Sequence, residues 1–335
     1  MKRRLALVGM ALLLGAGGVL GQGPAATAPA AGRPYGPADL PGKGLSAFNF
    51  LYAGEAAPLR IFIVKDGKVD WTFSPARPAR GAGEISDASM LPNGNILYAY
   101  QYGAAIVTRE KKIIWSVEAA APSEIHTATM VDASTVAYIA NGMPASLHVV
   151  DIGSNKELSH FDLPTKNPQA TSSIHGQFRR FRMTPEGKFL VAHMDMGKVV
   201  EYDRDGKPGW SVEVASPWDA ERLKNGNTLI ASNSNFVREV NPKGEMVWEF
   251  RPATDAPEYR FWNTQTALRL ANGDTLINNW HGKDRGGEPV QFVEVTPEKK
   301  VVWALRSWDE PANLGTSTTL QILDAAGMPD TAAVQ

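Results

Sequence analysis

Four of the six histidines in this chain, His126, His175, His193 and His281, fall at related places in a repeating pattern of short segments. An imidazole can act as a general acid, a general base or a nucleophile near neutral pH. Arg179 follows His175 closely, and its planar fork of donors suits a carboxylate or a sulfate. These residue types predict a site for a polar ligand that is anionic or carbohydrate-derived.

Three residues are the candidates for chemistry, namely His126, His175 and Arg179. Either histidine would serve as base or nucleophile, and Arg179 would hold the anion. The candidates for ligand contact share a polar or aromatic side chain at equivalent places in the repeats: Asp87, His193, Trp218, Asp219, Trp262, Asn263, Gln265, Trp280 and His281. An indole offers a flat apolar surface for a sugar or aryl ring. For any one of them the alternative is a structural role, such as a hydrogen-bonded loop histidine.

Geometry separates catalysis from simple binding. Two of the four histidines within about 3 Å of a common point would favour catalysis, because a base must reach its proton at hydrogen-bond distance. Scattered, solvent-facing histidines would favour binding alone. Several histidines could also hold Zn, Cu or Ni, but no pair has tight helical spacing, and we predict no metal site. The absence of cysteine excludes thiolate metal sites and thiol catalysis.

Arg179, Arg180 and Arg182 lie in one run, Gln177-Phe-Arg-Arg-Phe-Arg182. Side chains alternate between the two faces of a strand. We therefore expect only part of this run to face the candidate site, with the rest packed between sheets or solvated.

Six similar segments must position these residues, and they end at Trp71, Trp115, Leu158, Trp210, Trp248 and Trp303. Self-similarity at a period of roughly 40–50 residues is typical of a propeller. Turn signals such as Asn225-Gly226 divide each unit into four short antiparallel strands, which is one propeller blade. We expect the recurring tryptophans to pack between neighbouring sheets.

The two ends of the chain complement each other. Only one strand, within residues 318–323, follows the last unit, and the first unit contains three strands between residues 48 and 73. Together they complete a blade and remove the open sheet edges. The predicted fold is all-β, a six-bladed propeller of four-stranded antiparallel blades with this one-plus-three closure. Five or seven blades are the alternatives, because the third unit lacks tryptophan.

The repeat Asp203-Arg-Asp-Gly-Lys-Pro-Gly-Trp210 and its copies resemble the repeats of the pyrroloquinoline-quinone-type (PQQ-like) propeller superfamily, over residues 46–323. The quinone-dependent dehydrogenases of that superfamily look like larger eight-bladed rings with an adjacent cysteine pair. This chain has no cysteine, so we expect neither PQQ nor any other cofactor.

Segments 218–230 and 243–250 look similar to repeats of the arylsulfotransferase-like branch. That resemblance implies a channel histidine that carries a sulfuryl group, with further His, Asn and Arg around it. Residues that could take such roles are His126, His175, His193, His281, Arg179 and Asn263. Some exported propellers are polysaccharide lyases that use His, Tyr and Arg around a uronate, and the same cluster would suit that chemistry.

The first residues have the pattern of a targeting segment. A basic Lys2-Arg-Arg4 precedes an apolar stretch up to Leu20, which predicts a signal peptide over residues 1–21. Residues 22–44 are rich in Ala, Pro and Gly, which favours a disordered linker. The propeller is predicted over residues 45–324, with a C-terminal tail at 325–335. No cysteine follows the apolar stretch, which excludes a lipoprotein anchor, so we expect a periplasmic or secreted protein.

A net charge of −1 gives no indication of nucleic-acid binding, and no membrane insertion is expected after signal cleavage. The first hypothesis is an exported propeller that binds a small polar ligand, anionic or carbohydrate-derived, at the mouth of its central channel. The alternative is an enzyme that uses the channel histidines and arginine for sulfuryl transfer or polysaccharide lysis. The third is a scaffold for a protein partner, which would present a flat apolar patch.

Overall fold

The fold is described from a computed structural model that covers residues 36–55, 59–76, 80–81, 83–282 and 287–324. Within these residues, 24 strands form six four-stranded antiparallel sheets. Three 3₁₀ helices, Gly44–Ser46, Thr171–Gly176 and Pro257–Tyr259, and one short α-helix, α1 (Pro252–Asp255), lie between strands. The all-β prediction is confirmed.

Each blade follows the chain order from the inner to the outer strand. Blade 1 contains β1 (Phe50–Ala53), β2 (Ile61–Lys65) and β3 (Lys68–Phe73); blade 2 contains β4 (Asp87–Met90), β5 (Ile96–Ala99), β6 (Gly103–Val107) and β7 (Ile113–Glu118); blade 3 contains β8 (Glu124–Met130), β9 (Thr135–Asn141), β10 (Ala145–Asp151) and β11 (Glu157–Leu163). Blade 4 contains β12 (Phe178–Met183), β13 (Phe189–His193), β14 (Lys198–Tyr202) and β15 (Pro208–Glu213); blade 5 contains β16 (Pro217–Arg222), β17 (Thr228–Ser232), β18 (Phe236–Val240) and β19 (Met246–Phe250); blade 6 contains β20 (Ala267–Arg269), β21 (Thr275–Asn278), β22 (Phe292–Val295) and β23 (Val301–Leu305).

The last strand, β24 (Thr319–Ile322), is the inner strand of blade 1. It pairs with β1 from Ala53↔Thr319 to Phe50↔Ile322. This pairing joins the two ends of the chain in one sheet and removes an open edge strand. The predicted six blades and the one-plus-three closure are therefore confirmed.

The recurring tryptophans link neighbouring blades. Four indole N–H groups donate to the outer turn of the next blade, and that of Trp303 donates to the 3₁₀ helix that precedes β1, all at 2.8–3.0 Å. The pairs are Trp71 with Arg109 O, Trp115 with Asn155 Oδ1, Trp210 with Pro242 O, Trp248 with Pro297 O, and Trp303 with Gly44 O. These tryptophans pack between sheets, as the repeat predicts, and they satisfy their only polar group there.

In blade 3 a phenylalanine fills the space between neighbouring sheets that a tryptophan fills in the other blades. Its strand register aligns Ser159, rather than Leu158, with the tryptophan of the other blades. Leu158 is largely exposed, and Phe161 packs against Phe189 and Tyr202 of blade 4 instead. Phenylalanine can fill this space because the next outer turn has Gly206, where a Cβ atom would lie 2.4 Å from the Phe161 ring.

Part of the predicted linker contacts blade 6. Pro41 O accepts a hydrogen bond from Ala304 N at 3.2 Å, and Leu40 packs on the core of blades 5 and 6. Gly42 lies against Trp303, where a side chain would collide with the indole. These contacts cover Trp303 in blade 6, and the assignment of residues 22–44 as a disordered linker stays a prediction.

The predicted signal peptide, residues 22–35 of the predicted linker and the predicted tail lie outside the described residues. In the part of the chain that is described, no helix combines the length and the hydropathy needed to cross a bilayer.

Gly206→Ala and Gly226→Ala form a matched pair for the packing in blade 3. Both glycines have a left-handed backbone, with φ of +80° and +84°, but the nearest atom to a Cβ at Gly226 is 3.7 Å away. We expect each variant to lose about 1–2 kcal/mol of unfolding free energy from the backbone. Gly206→Ala should lose roughly 1–3 kcal/mol more from overpacking against Phe161. Urea unfolding measures both, and equal losses would contradict this account of blade 3.

Candidate functional site

One residue from each inner strand occupies the same position around the channel. Pairing with the second strand shows which inner-strand residues correspond between blades. Ala88↔Tyr98, Ala128↔Tyr138 and Phe181↔Val191 are equivalent pairs, and each of the other three blades has a counterpart. The residues just before these positions form what we call the inner ring: Asp87, Thr127, Arg180, Asp219, Thr266 and Thr319. The residues one position earlier form the mouth ring: Ser86, His126, Arg179, Trp218, Gln265 and Thr318.

Register shifts in three inner strands explain why two successive residues contribute to the channel. The pairing shifts between Ile125 and Ala128 in β8, between Phe178 and Phe181 in β12, and between Pro217 and Asp219 in β16. A bulge of this kind interrupts the strict alternation of side chains. As a result Arg179 and Arg180 both reach the channel, and Arg182 reaches it from the next alternate position. Phe178 and Phe181 pack in the core instead, so only part of this run faces the channel, as expected.

The inner ring is held together by buried ion pairs. Arg180 contacts Asp219 at 3.3 Å and Asp87 at 3.6 Å, and it also donates to Thr319 Oγ1 and to the Thr318 carbonyl. Arg182 donates to both oxygens of Asp87, at 2.8 and 2.9 Å. Burial alone would raise the pKa of Asp87, but Arg182 and Arg180 outweigh it and lower that pKa. Asp87 and Asp219, predicted as ligand contacts, thus anchor the two arginines that fill the channel.

The predicted histidines His126 and His175 meet at one carboxylate in the mouth. Glu124 Oε2 lies 2.7 Å from His126 Nε2 and 2.8 Å from His175 Nδ1. A carboxylate oxygen accepts, so both nitrogens carry their protons toward Glu124. His175, on the 3₁₀ helix Thr171–Gly176, is 45% exposed, and in this tautomer its Nε2 keeps a lone pair. An exposed imidazole oriented by a carboxylate is a suitable general base.

Arg179 lies beside this pair in the mouth ring. Its Nη1 is 2.7 Å from His126 Nδ1 and 3.0 Å from Glu84 Oε1, and its guanidinium stacks 4.7 Å from the Trp218 ring centre. Arg179 Nε and Trp218 Nε1 are buried donors without a hydrogen-bond partner among the described residues. Such groups are rare in folded proteins because each one costs desolvation free energy. Two of them side by side indicate a place for an acceptor group of a ligand.

Three glutamates around the mouth differ in the direction in which their pKa is shifted. Burial favours the neutral form of Glu84, but Arg179 and His126 overcome it and hold the pKa well below its usual range. Hydrogen bonds from His126 and His175 likewise overcome the burial of Glu124 and lower its pKa. For Glu55, burial and the nearby Glu84 charge raise the pKa to about 8. Glu55 accepts a 2.6 Å hydrogen bond from Trp280 Nε1 and is a protonated acid at neutral pH.

A metal ion is the alternative ligand for the carboxylate and histidine cluster of the mouth. One donor atom each of Glu84, His126 and His175 lies within 4.8 Å of the others. However, the Arg179 guanidinium already contacts two of these three groups. It supplies the positive charge that the carboxylate needs, and a divalent cation there would be repelled by it.

Three further residues predicted as ligand contacts, Trp262, Gln265 and Asn263, differ in exposure and in hydrogen bonding. Trp262 is 37% exposed and meets the His281 ring edge-on, with centres 5.2 Å apart. Gln265 belongs to the mouth ring, and its Oε1 is buried without a partner among the described residues. The amide of Asn263, oriented to donate, bonds the carbonyls of Trp262 and Asn233. These bonds link the loop of Asn263 to the loop of Asn233.

His193 differs most from the expectation. It is fully buried beside Phe178, and its Nε2 is 2.9 Å from the Tyr202 hydroxyl. Burial, with some help from Lys198, lowers its pKa to about 3. On β13 it shares a face with Val191, which belongs to the core between blades 3 and 4. The structure therefore does not bring His193 to the cluster formed by His126 and His175.

The sequence analysis missed the carboxylates of the mouth, Glu55, Glu84 and Glu124. A signal for two of them was present, because Glu84-Ile-Ser-Asp-Ala88 and Glu124-Ile-His-Thr-Ala128 are the same stretch of two successive repeats. The shared Glu-Ile places a carboxylate three residues before the inner ring in both blades. Nothing comparable marks Glu55, which belongs to a loop after β1.

No family profile and no curated protein matches the chain. Among solved structures, a Bacteroides caccae protein of unknown function is 25% identical and superposes with a TM-score of 0.70, covering 83% of this chain and all of that one. A catalytically inactive virginiamycin B lyase from Staphylococcus aureus with quinupristin is 11% identical, with a TM-score of 0.54 over 80% of this chain and 88% of that one.

The WD40 propeller domain of Doa1 is 15% identical, with a TM-score of 0.51 over 68% of this chain and 70% of that one. At such low identity the lyase and the WD40 domain support the propeller fold alone. The PQQ-like and arylsulfotransferase-like resemblances stay predictions.

Asp87→Asn tests how strongly the inner ring is coupled to the fold. The variant leaves Arg180 and Arg182 buried with less compensating charge, which should lower the unfolding free energy by roughly 3–5 kcal/mol. Asp70→Asn is the control, because Asp70 is 39% exposed and pairs with Arg109 at 2.9 Å on an outer strand. That change should lose no more than about 1 kcal/mol. Similar losses in urea unfolding for both variants would show that the ring contributes no special stability.

Proposed function

We propose that this protein is an acid–base enzyme that acts on a carboxylate-bearing, carbohydrate-derived substrate at the mouth of the channel. The observation that carries the proposal is the single carboxylate oxygen of Glu124 shared by His126 and His175 at 2.7 and 2.8 Å. Two histidines within about 3 Å of one point meet the geometric condition for catalysis. What distinguishes this pair from the histidines beside Glu157 on an outer strand is its position next to Arg179 and Trp218, whose Nε and Nε1 are buried donors without a partner among the described residues.

The protonation of the mouth supports elimination as the reaction class. Catalysis of proton transfer uses one group that accepts and one that donates, and environments that separate their pKa values identify them. His175 offers a lone pair on Nε2 under the orientation set by Glu124. Glu55 offers a proton, since burial and Glu84 raise its pKa to about 8. The two are therefore assigned as base and acid.

In a β-elimination, His175 would remove the proton on the carbon next to the substrate carboxylate. The electron pair forms a carbon–carbon double bond, the bond from the neighbouring carbon to the glycosidic oxygen breaks, and that oxygen takes the proton from Glu55. The substrate carboxylate would accept from Arg179 Nε and Trp218 Nε1, the two unpartnered donors. Charge that develops on this carboxylate in the transition state would strengthen both hydrogen bonds.

The test is turnover of uronate oligosaccharides by the full chain, followed by absorbance of the new double bond. His175→Gln should reduce kcat by about 10²–10⁴-fold, as expected for a lost general base. His160→Gln is the matched control: this exposed histidine also has its Nδ1 2.7 Å from a glutamate oxygen, that of Glu157, but on an outer strand. The control should leave the rate unchanged, and a chelator should have no effect.

Two results would overturn the proposal. Uronates that shift the melting temperature but yield no product would identify a binding protein. Product formation that survives His175→Gln would remove the assigned base. Aryl sulfates belong in the same panel, because turnover of aryl sulfates alone would transfer the assignment to sulfuryl transfer.

A further inference from the structure

A second cavity occupies the channel on the other side of the inner ring. It follows the inner strands away from the mouth and has a volume of about 80 Å³. Asp87, Arg180 and Asp219 close it toward the mouth. Its walls combine charged side chains, among them Arg182 and Glu221, with an apolar part formed by Leu91, Met130, Met183, Leu268 and Leu320. A concave site that sets polar groups beside apolar walls is a common form of small-ligand site.

Two carboxyl groups of β16 line this cavity. Glu221 lies two residues after Asp219, so both side chains are on the channel face of the strand. Asp219 is 3% exposed, and its Oδ1 is buried without a hydrogen-bond partner among the described residues. Glu221 Oε2 is likewise buried without a hydrogen-bond partner among the described residues. When both carboxyl groups are ionised, both atoms are acceptors, so the missing partner is a donor.

The nearby arginines are committed to other groups. Arg180 contacts Asp219 through Oδ2 rather than Oδ1, at 3.3 Å, and Arg182 donates to both oxygens of Asp87. Arg222 donates to Glu201 at 3.0 Å. A buried acceptor without a donor costs free energy that a complementary ligand would recover.

We propose that this cavity binds a small primary ammonium ion that carries a short apolar chain. Its N–H groups would donate to Asp219 Oδ1 and Glu221 Oε2, and its chain would lie against the apolar walls. A guanidinium or an inorganic cation fits less well, since neither brings an apolar chain to cover Leu91, Met130 and Leu268. The site is separate from the mouth and independent of the reaction proposed there.

Binding at this site would be coupled to a proton. Burial, and after it the charge of Asp219, raises the pKa of Glu221 to about 8, although Arg182 and Arg180 act in the opposite direction and Asp87 adds to the rise. Glu221 is therefore protonated at neutral pH while the cavity holds no cation. An ammonium ion would favour the ionised form and displace that proton.

Titration calorimetry of the full chain with n-butylammonium at neutral pH tests the proposal. Saturable binding should occur with release of close to one proton, measured by repeating the titration in two buffers that differ in heat of protonation. Glu221→Gln should weaken binding at least tenfold, which corresponds to about 1.4 kcal/mol. His175→Gln should leave the affinity unchanged, because the inner ring separates the two sites.

n-Butanol is the matched ligand control, since it has the same chain without the charge, and it should bind at least tenfold more weakly than the ammonium. Urea unfolding of Glu221→Gln verifies that this variant folds. The proposal is overturned by absence of saturable binding, by equal affinity for butanol, or by unchanged affinity in folded Glu221→Gln. None of these results bears on turnover at the mouth.

Discussion

Six inner strands converge on one axis, and this convergence requires six side chains to share a narrow, water-poor space. Charged groups there must pair, because an isolated buried charge is costly. The inner ring meets this requirement with Arg180 reaching across to Asp219 and Asp87, and Arg182 adding a bidentate pair to Asp87. The mouth lies on one side of this layer, and on the other side lies a cavity that combines charged and apolar walls.

The same requirement decides which carboxyl groups keep a proton. Glu84 and Glu124 lie beside Arg179 and the histidines, so they remain ionised despite burial. Glu55 and Glu221 are buried next to other carboxylates, and each has a pKa raised to about 8. The mouth thus combines an ionised and a protonated carboxyl group around an oriented imidazole, which is the arrangement that acid–base chemistry needs.

Much of the architecture could be predicted from the repeats, because Trp71, Trp115 and their equivalents mark one packing contact per blade. The nearness of His126, His175 and Arg179 followed from aligning the repeats. Alternation also predicted that only part of the run from Gln177 to Arg182 faces the channel, and Phe178 and Phe181 do pack in the core, but the bulge that brings both Arg179 and Arg180 to the channel had no sequence signal. Alternation would have excluded His193, which lies on the core face of β13 with Val191. Glu55 lies in a loop without a repeat signal, so only tertiary structure reveals it.

The acid–base chemistry of the mouth requires a protonated Glu55 beside ionised Glu84 and Glu124, and carboxyl ¹³C NMR during a pH titration measures this difference directly. Signals of Glu55, Glu84 and Glu124 can be assigned from single Glu→Gln variants. We predict that Glu55 titrates near pH 8, well above its ordinary value of 4.5, while Glu84 and Glu124 stay ionised throughout the range in which ordinary glutamates titrate. If Glu55 instead titrates near 4.5 together with Glu84, the mouth contains no protonated acid at neutral pH, and the acid–base account fails.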